Sequence, residues 1–251
     1  MAETGYEIFS LYYDELTENV NSSVRAAYFD RLIRKHLHTN GQVLLDLACG
    51  TGTMAEQMAR KGYDVIGVDY SGGMLGQAME KKFQSGLPIQ YVQQDMRELD
   101  LYGTVDVTIC TLDSLNHLPD LNSIRQVFQK VAEATETGGL FLFDMNTLYK
   151  HRVLLGSQVY IYERDAVYCV WENHLQDDAC TVDITLELFQ LCADGRYCRQ
   201  TEVLTERAYP PEQIQMALEE TGFTVLGIYH ADSEEPLRED SQRMVVAARK
   251  E

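Results

Sequence analysis

The sequence predicts an α/β fold: a doubly wound, mostly parallel, Rossmann-like sheet of seven strands, with an antiparallel β-meander inserted late in the chain. Three observations carry this expectation. From Gly41 to Asp144, short apolar runs alternate with helical patterns, as in a parallel sheet covered on both faces. Asp46, Asp69, Asp95, Asp113 and Asp144 fall at the ends of these runs, and ligands of such sheets bind beyond the strands' carboxyl ends. After Asn146 the period changes. Val182, Ile184, Leu186 and Leu188 alternate with Thr181, Asp183, Thr185 and Glu187, the pattern of a half-buried strand.

Taken in order, "QVLLDLA" (42–48) reads as a buried strand, and "TMAEQMARKG" (53–62) as an amphipathic helix that Thr51 or Thr53 can cap and Gly62 stops. A second strand (63–69) is followed by a helix from Ser71 to Gly86. Strands at 89–95, 105–113 and 139–146 complete this half, the last two joined by a helix from about Leu121 to Glu136. The meander runs through 166–176, 180–191 and 196–209, with turns at Asp177-Asp178 and Asp194-Gly195. A proline-led helix (210–222) and strands at 223–230 and 243–249 close the sheet.

A chain of 251 residues with 45% hydrophobic residues can bury a substantial core. Its net charge of −18 repels a nucleic-acid backbone unless basic residues cluster, and only short pairs such as Arg34-Lys35 and Lys81-Lys82 occur. Six cysteines (49, 110, 169, 180, 192 and 198) form no Cys-x-x-Cys pair or Cys/His ligand pattern. The expectation is a reduced, cytoplasmic chain without disulfides, structural zinc or other metal, signal peptide or bilayer-spanning run.

"LLDLACGTGT" (44–53) places a carboxylate, Asp46, ahead of a glycine-rich turn. Gly50, Gly52 and Ala55 formally fit the dinucleotide fingerprint G-x-G-x-x-G/A, with Asp69 where a ribose-binding acid belongs. Yet Asp46 repels a pyrophosphate and pairs well with an ammonium. A nucleoside cofactor bearing positive charge and no phosphate removes the conflict, which points to S-adenosylmethionine rather than NAD.

"LLDLACGTG", "VIGVDYSGGML" and "QQDM" together resemble the signature of class I S-adenosylmethionine-dependent methyltransferases. "YEIFSLYYDEL", "DSLN", "WEN" and "ERAY" extend the likeness over nearly the whole chain, toward a bacterial small-molecule-type subgroup of unsettled substrate; glycine and amino-sugar N-methyltransferases are similar more distantly. The resemblance implies one domain: an N-terminal helical cover (1–40), a cofactor-binding core (41–150), the meander as a lid (151–209), and closing elements (210–251). It also implies roles. Asp46 and the backbone of Ala48, Cys49, Gly50 and Gly52 would hold the methionine moiety, and Asp69 the ribose hydroxyls. Tyr70 and Met74 would pack near the adenine, which Gln94, Asp95 and Met96 would meet at its edge. Leu112 and Asp113 would line the cofactor's far side, and Tyr6, Phe9 and Tyr13 would cover it. Cys49 reads as a small turn residue, not a nucleophile.

Transfer from a sulfonium needs alignment, exclusion of water and, for an amine, a base. "LDSLNHL" offers Asp113, Ser114, Asn116 and His117, of which His117 has the most suitable intrinsic pKa. Tyr168, Trp171, Glu172 and His174 of the meander, with Arg207 and Tyr209, are candidates for the acceptor, Trp171 falling on the face opposite Tyr168. The expected function is S-adenosylmethionine-dependent methyl transfer to a small molecule, at N or O, leaving S-adenosylhomocysteine. A protein or nucleic-acid methyltransferase, and a catalytically silent cofactor-binding module, remain open. So do a monomer or homodimer, and the meander as lid or dimer surface.

Overall fold

The computed structural model describes residues 8–18, 20–39 and 41–251. Two helices open it, α1 (Phe9–Leu16) and α2 (Ser22–His36); Asn21 caps α2 by accepting the Val24 N–H at 3.1 Å. Then come β1 (Val43–Leu47), α3 (Thr53–Arg60), β2 (Asp64–Asp69), α4 (Gly72–Ser85) and β3 (Gln90–Gln93). β4 (Val105–Cys110), α5 (Leu121–Ala134) and β5 (Thr135–Asn146) follow, the last starting four residues before its expected bound. The antiparallel sheet comprises β6 (Val159–Glu163), β7 (Val167–Leu175), β8 (Thr181–Leu191) and β9 (Tyr197–Arg207). Helix α6 (Pro211–Glu220) and strands β10 (Phe223–His230) and β11 (Arg243–Lys250) complete the chain.

The main sheet has seven strands in the order β10-β11-β5-β4-β1-β2-β3, with β11 antiparallel to both neighbours and the other pairs parallel. The chain therefore enters at β1, builds outward through β2 and β3, then returns to build β4 and β5 on the other side. The reversal between β1 and β4 opens a crevice at their carboxyl ends. Strand β5 shows how the two layers form: Leu140 and Leu142 join the core under α2 and α3, while Phe141, Phe143 and Met145 join the core under α5 and α6.

The second sheet has an inner and an outer face. Val167, Cys169, Val182, Ile184, Leu186, Leu188 and Leu204 point inward and pack on Phe9 and Leu16 of α1. Buried Glu202 of β9 accepts the backbone N–H groups of Ile8 (2.7 Å) and Phe9 (3.2 Å), so it holds the open N-terminal end of α1.

Three expectations are corrected. The second sheet has a fourth strand, β6, which the sequence "VYIYE" did not announce because its apolar residues lie on both faces. The expected absence of disulfides is overturned: the β8–β9 turn brings Cys192 and Cys198 together as a disulfide, Cα atoms 6.5 Å apart. Neither Thr51 nor Thr53 caps α3; their hydroxyls turn to Asp14 of α1 instead. Among the described residues no helix is long and apolar enough to cross a membrane.

Because Phe9 fills the joint between α1 and the second sheet, Phe9→Ala should weaken α1 docking by about 3 kcal/mol. Hydrogen exchange should then speed up across residues 9–16 and leave β1 and β5 protected. Uniform acceleration through both regions would refute a local role.

Candidate active site

Strand β1 carries buried Leu44, Leu45 and Leu47, and on the face of Leu44 stands Asp46, 0% exposed. The chain then turns through three left-handed residues, Ala48 (φ 58°), Gly50 (φ 55°) and Gly52 (φ 75°). A Cβ on Gly52 would sit 2.3 Å from the Tyr91 hydroxyl, whereas one on Gly50 would meet open space. Gly50 thus presents bare backbone to the crevice, while Gly52, expected beside it, packs against Tyr91 and does not line the cavity.

That crevice is a cavity of about 750 Å³, within the range of about 300–1,000 Å³ common for small-molecule sites. Of the residues expected there, Tyr13, Ala48, Cys49, Gly50, Asp69, Tyr70, Met74, Gln94, Asp95, Met96, Leu112 and His117 line its wall. Tyr6 lies outside the described residues. Helices α1 and α2 contribute Tyr13, Asp14 and Arg25, and Thr17 just after α1 joins them, as a cover over it.

Asp69 ties two walls together: Gly50 N–H donates to its Oδ2 and Ser71 N–H to its Oδ1, each at 2.8 Å. Burial raises its carboxyl above the usual range, against those two bonds. Asp95 is held below the usual range, first by the Arg97 side chain, which grips both of its oxygens. The Tyr13 hydroxyl is pushed up by burial and by nearby Asp113 and Asp14, so it stays protonated. Burial and Asp46 likewise keep the Cys49 thiol protonated, which removes it as a nucleophile.

The five strand-end acids do not form one rim. Asp69 and Asp95 line the cavity, while Asp46, Asp113 and Asp144 do not; Asp46 and Asp144 are fully buried. Neither oxygen of Asp46 has a hydrogen-bond partner of ordinary geometry; the Ala55 N–H of α3 is a looser contact that only partly offsets burial and Asp69, which push the carboxyl up to about 8. Asp113, an expected base, accepts from Arg243 Nη1 at 2.8 Å and from Asn146 Nδ2. Burial alone would raise it, but the charges of Arg243 and Lys150 prevail and hold it well below the usual range. A permanently ionised, paired carboxylate is a poor proton acceptor. Asn116 is also buried and structural, bonded to the backbone of Asn146 and Arg207. His117 does line the cavity, with Nδ1 3.3 Å from the Thr205 carbonyl. A proton placed there leaves Nε2 as the ring's acceptor.

The residues expected around the acceptor are not at the cavity. Tyr168, Glu172 and His174 stand on the outer face of the second sheet, since period-two geometry sends their neighbours Cys169, Trp171 and Asn173 inward. Trp171 packs edge-on against Phe9 at 5.8 Å and donates to Asn173. Arg207 donates to Asp178 Oδ2 at 2.7 Å, and Tyr209, buried, donates to the Leu118 carbonyl at 2.8 Å. Tyr209 thereby steadies a residue that does line the cavity.

Residues that the sequence did not single out complete the site. Arg25 of α2 is buried, faces the cavity, and pairs with Asp144; its Nε has no partner among the described residues. Asp14 accepts from Thr51 (2.7 Å) and Thr53 (3.2 Å) and pairs with Lys81. The lone sequence signal was the placing of a helical cover at residues 1–40; partners 37 residues apart carry no local pattern.

A family profile described as "Methyltransferase domain" matches residues 44–139. The chain is 30% identical to a putative methyltransferase of Bacillus subtilis (strain 168), covering 87% of this chain and 86% of that one. An S-adenosylmethionine-dependent methyltransferase from Clostridium acetobutylicum superposes with a TM-score of 0.87 at 28% identity, covering 98% of both chains. A sugar N-methyltransferase from Streptoalloteichus sp. shares the fold, with a TM-score of 0.78, 21% identity, and 97% and 93% of the two chains covered.

Asp46 gives a pH test of the ligand-free protein. Its folded pKa lies above the unfolded value, so its stabilising contribution is full below about pH 4 and is lost as pH rises through about 8. Asp46→Asn should therefore melt at least about 4 °C above the parent at pH 9, the gap closing toward pH 4. Equal melting temperatures at pH 9 would show that Asp46 is not a buried acid of raised pKa.

Proposed function

The chain belongs to the class I S-adenosylmethionine-dependent methyltransferases, and from that premise we propose that it methylates a small-molecule acceptor at nitrogen or oxygen by in-line displacement. The observation that carries this reading is the cavity, about 750 Å³ and roofed by α1 and α2. That volume suits a nucleoside cofactor together with a small acceptor. The sugar N-methyltransferase of shared fold supports the same acceptor class.

The residues fit the cofactor. Asp46, buried and unpartnered beneath the turn, and the open space above Gly50 suit a ligand that brings positive charge and no phosphate. When bound, S-adenosylmethionine supplies a methyl group activated on a sulfonium sulfur. In this reading Asp69 accepts from the ribose hydroxyls with the lone pairs that Gly50 and Ser71 leave open. Tyr70 and Met74 flank the adenine, and Asp95 and the Met96 backbone meet its edge. The backbone from Ala48 to Gly50 approaches the methionine moiety; Asp46 attracts its ammonium through the field from below, and Arg25 faces its carboxylate. Tyr13 closes the roof against water, and His117 takes the proton of an acceptor that needs a base.

Calorimetry should record binding of S-adenosylmethionine and S-adenosylhomocysteine and none of NAD. Asp69→Ala should weaken S-adenosylhomocysteine by about 1–3 kcal/mol; unchanged affinity in the folded variant would return Asp69 to a turn role. Affinity in the parent should rise from pH 6 to pH 8, because Asp46 must ionise to attract the ammonium, and should stay flat in Asp46→Asn. A screen of labelled methyl incorporation should then mark a small metabolite. Label found only in protein or RNA would overturn the acceptor class.

A further inference from the structure

We propose that Arg243, on the last strand and outside the cavity wall, is a positioning residue for the methionyl end of the cofactor, acting through the turn at Leu112 and Asp113. The inference rests on the cofactor reading above. Leu112 (φ 58°) and Asp113 (φ 56°) are consecutive left-handed residues, neither a glycine. Such a conformation is unfavourable for Leu112 above all, since aspartate enters it more readily, and it persists where the surroundings over-determine it. Leu112 lines the cavity.

Arg243 supplies that over-determination. Its Nη1 donates to Asp113 Oδ1 at 2.8 Å and to Asp144 Oδ2 at 3.0 Å. The other oxygen of Asp144 accepts the Asp113 N–H at 3.2 Å. Arg243 thus grips Asp113 twice, by its side chain directly and by its backbone through Asp144. Asn146 holds the remaining Asp113 oxygen, and Arg25 the same Asp144 oxygen from the opposite side. The Arg243 side chain is only 13% exposed, so water screens these bonds little.

The topology says which part of the cofactor this turn serves. Strand β4 borders β1 on the flank away from β2 and β3. Asp69 and Asp95, the proposed nucleoside contacts, close β2 and follow β3. The Leu112–Asp113 turn therefore walls the opposite end, where the sulfur and its amino-acid arm lie. Losing Arg243 removes a counter-ion from Asp113 and frees the turn to relax, which displaces Leu112 while the nucleoside end keeps its contacts.

The experiment compares S-adenosylhomocysteine with 5′-deoxy-5′-methylthioadenosine, which keeps the nucleoside and sulfur but lacks the amino-acid arm. Arg243→Met should weaken the first about tenfold, the order expected of a relaxed strained turn, and the second less than about twofold. Arg243→Met combined with Asp113→Gly should recover most of the S-adenosylhomocysteine affinity, because glycine enters the left-handed region without steric cost. The combination with Asp113→Ala removes the same unpaired carboxylate and should not recover it. If Arg243→Met alone does not fold, the two double variants decide. Parallel loss of both ligands, unchanged affinity in a folded Arg243→Met, or equal affinity in the two double variants would overturn the proposal. A parent protein silent to both ligands would instead overturn the cofactor reading.

Discussion

Asp144, 0% exposed at the end of β5, accepts from two guanidiniums and one backbone N–H. Arg25 arrives from α2, Arg243 from β11, and the N–H from the loop after β4. A carboxylate taken out of water is tolerated only when so surrounded, and removing one partner of such a buried pair costs about 3–5 kcal/mol. With Asp113 the group counts two arginines against two aspartates. Its consequence is geometric: the roof of the cavity and the wall after β4 are fixed to the same atoms. Through Asn146 and Asn116 the same set of bonds reaches Glu206 and the Arg207 carbonyl of β9, so the second sheet is registered to it too.

Helix α1 is held from both sides. Glu202 and the inner face of the second sheet take its N-terminal end and apolar stripe, while Asp14 joins it to Thr51, Thr53 and Lys81 beside the glycine turn. This gives the inserted sheet a different part from the one its sequence suggested. Its polar and aromatic residues Tyr168, Glu172 and His174 face outward, and its contribution to the cavity passes through α1, through the Thr205 carbonyl beside His117 and, just beyond β9, through the Tyr209 bond to Leu118. A sheet can shape a pocket it does not line.

The acid ahead of the glycine turn shows how position sets the strength of a charge. Asp46 shares the face of Leu44, below the turn, with α3 packed above it. Away from water, a carboxylate acts over several ångströms at a strength that a surface residue lacks. Burial and Asp69 hold the group mostly protonated at neutral pH, so its charge develops only as pH rises toward about 8.

Much of the fold was legible in the sequence. Apolar runs such as "VLLDL" and "LFLFDM", caps such as Ser71, whose hydroxyl accepts the Met74 N–H, and turn acids such as Asp178 are local signals, read over a few residues. The glycine turn and the acids at residues 69 and 95 were legible for the same reason, since chain connectivity delivers them to one end of the sheet. Only the tertiary structure decided which strand-end acids face the cavity and which are buried in pairs, because Asp113 meets Arg243 across 130 residues. It also decided what the apolar face of the inserted sheet packs against. Alternation fixes which face is apolar, but not that Phe9 and Leu16 of α1 supply the surface it covers.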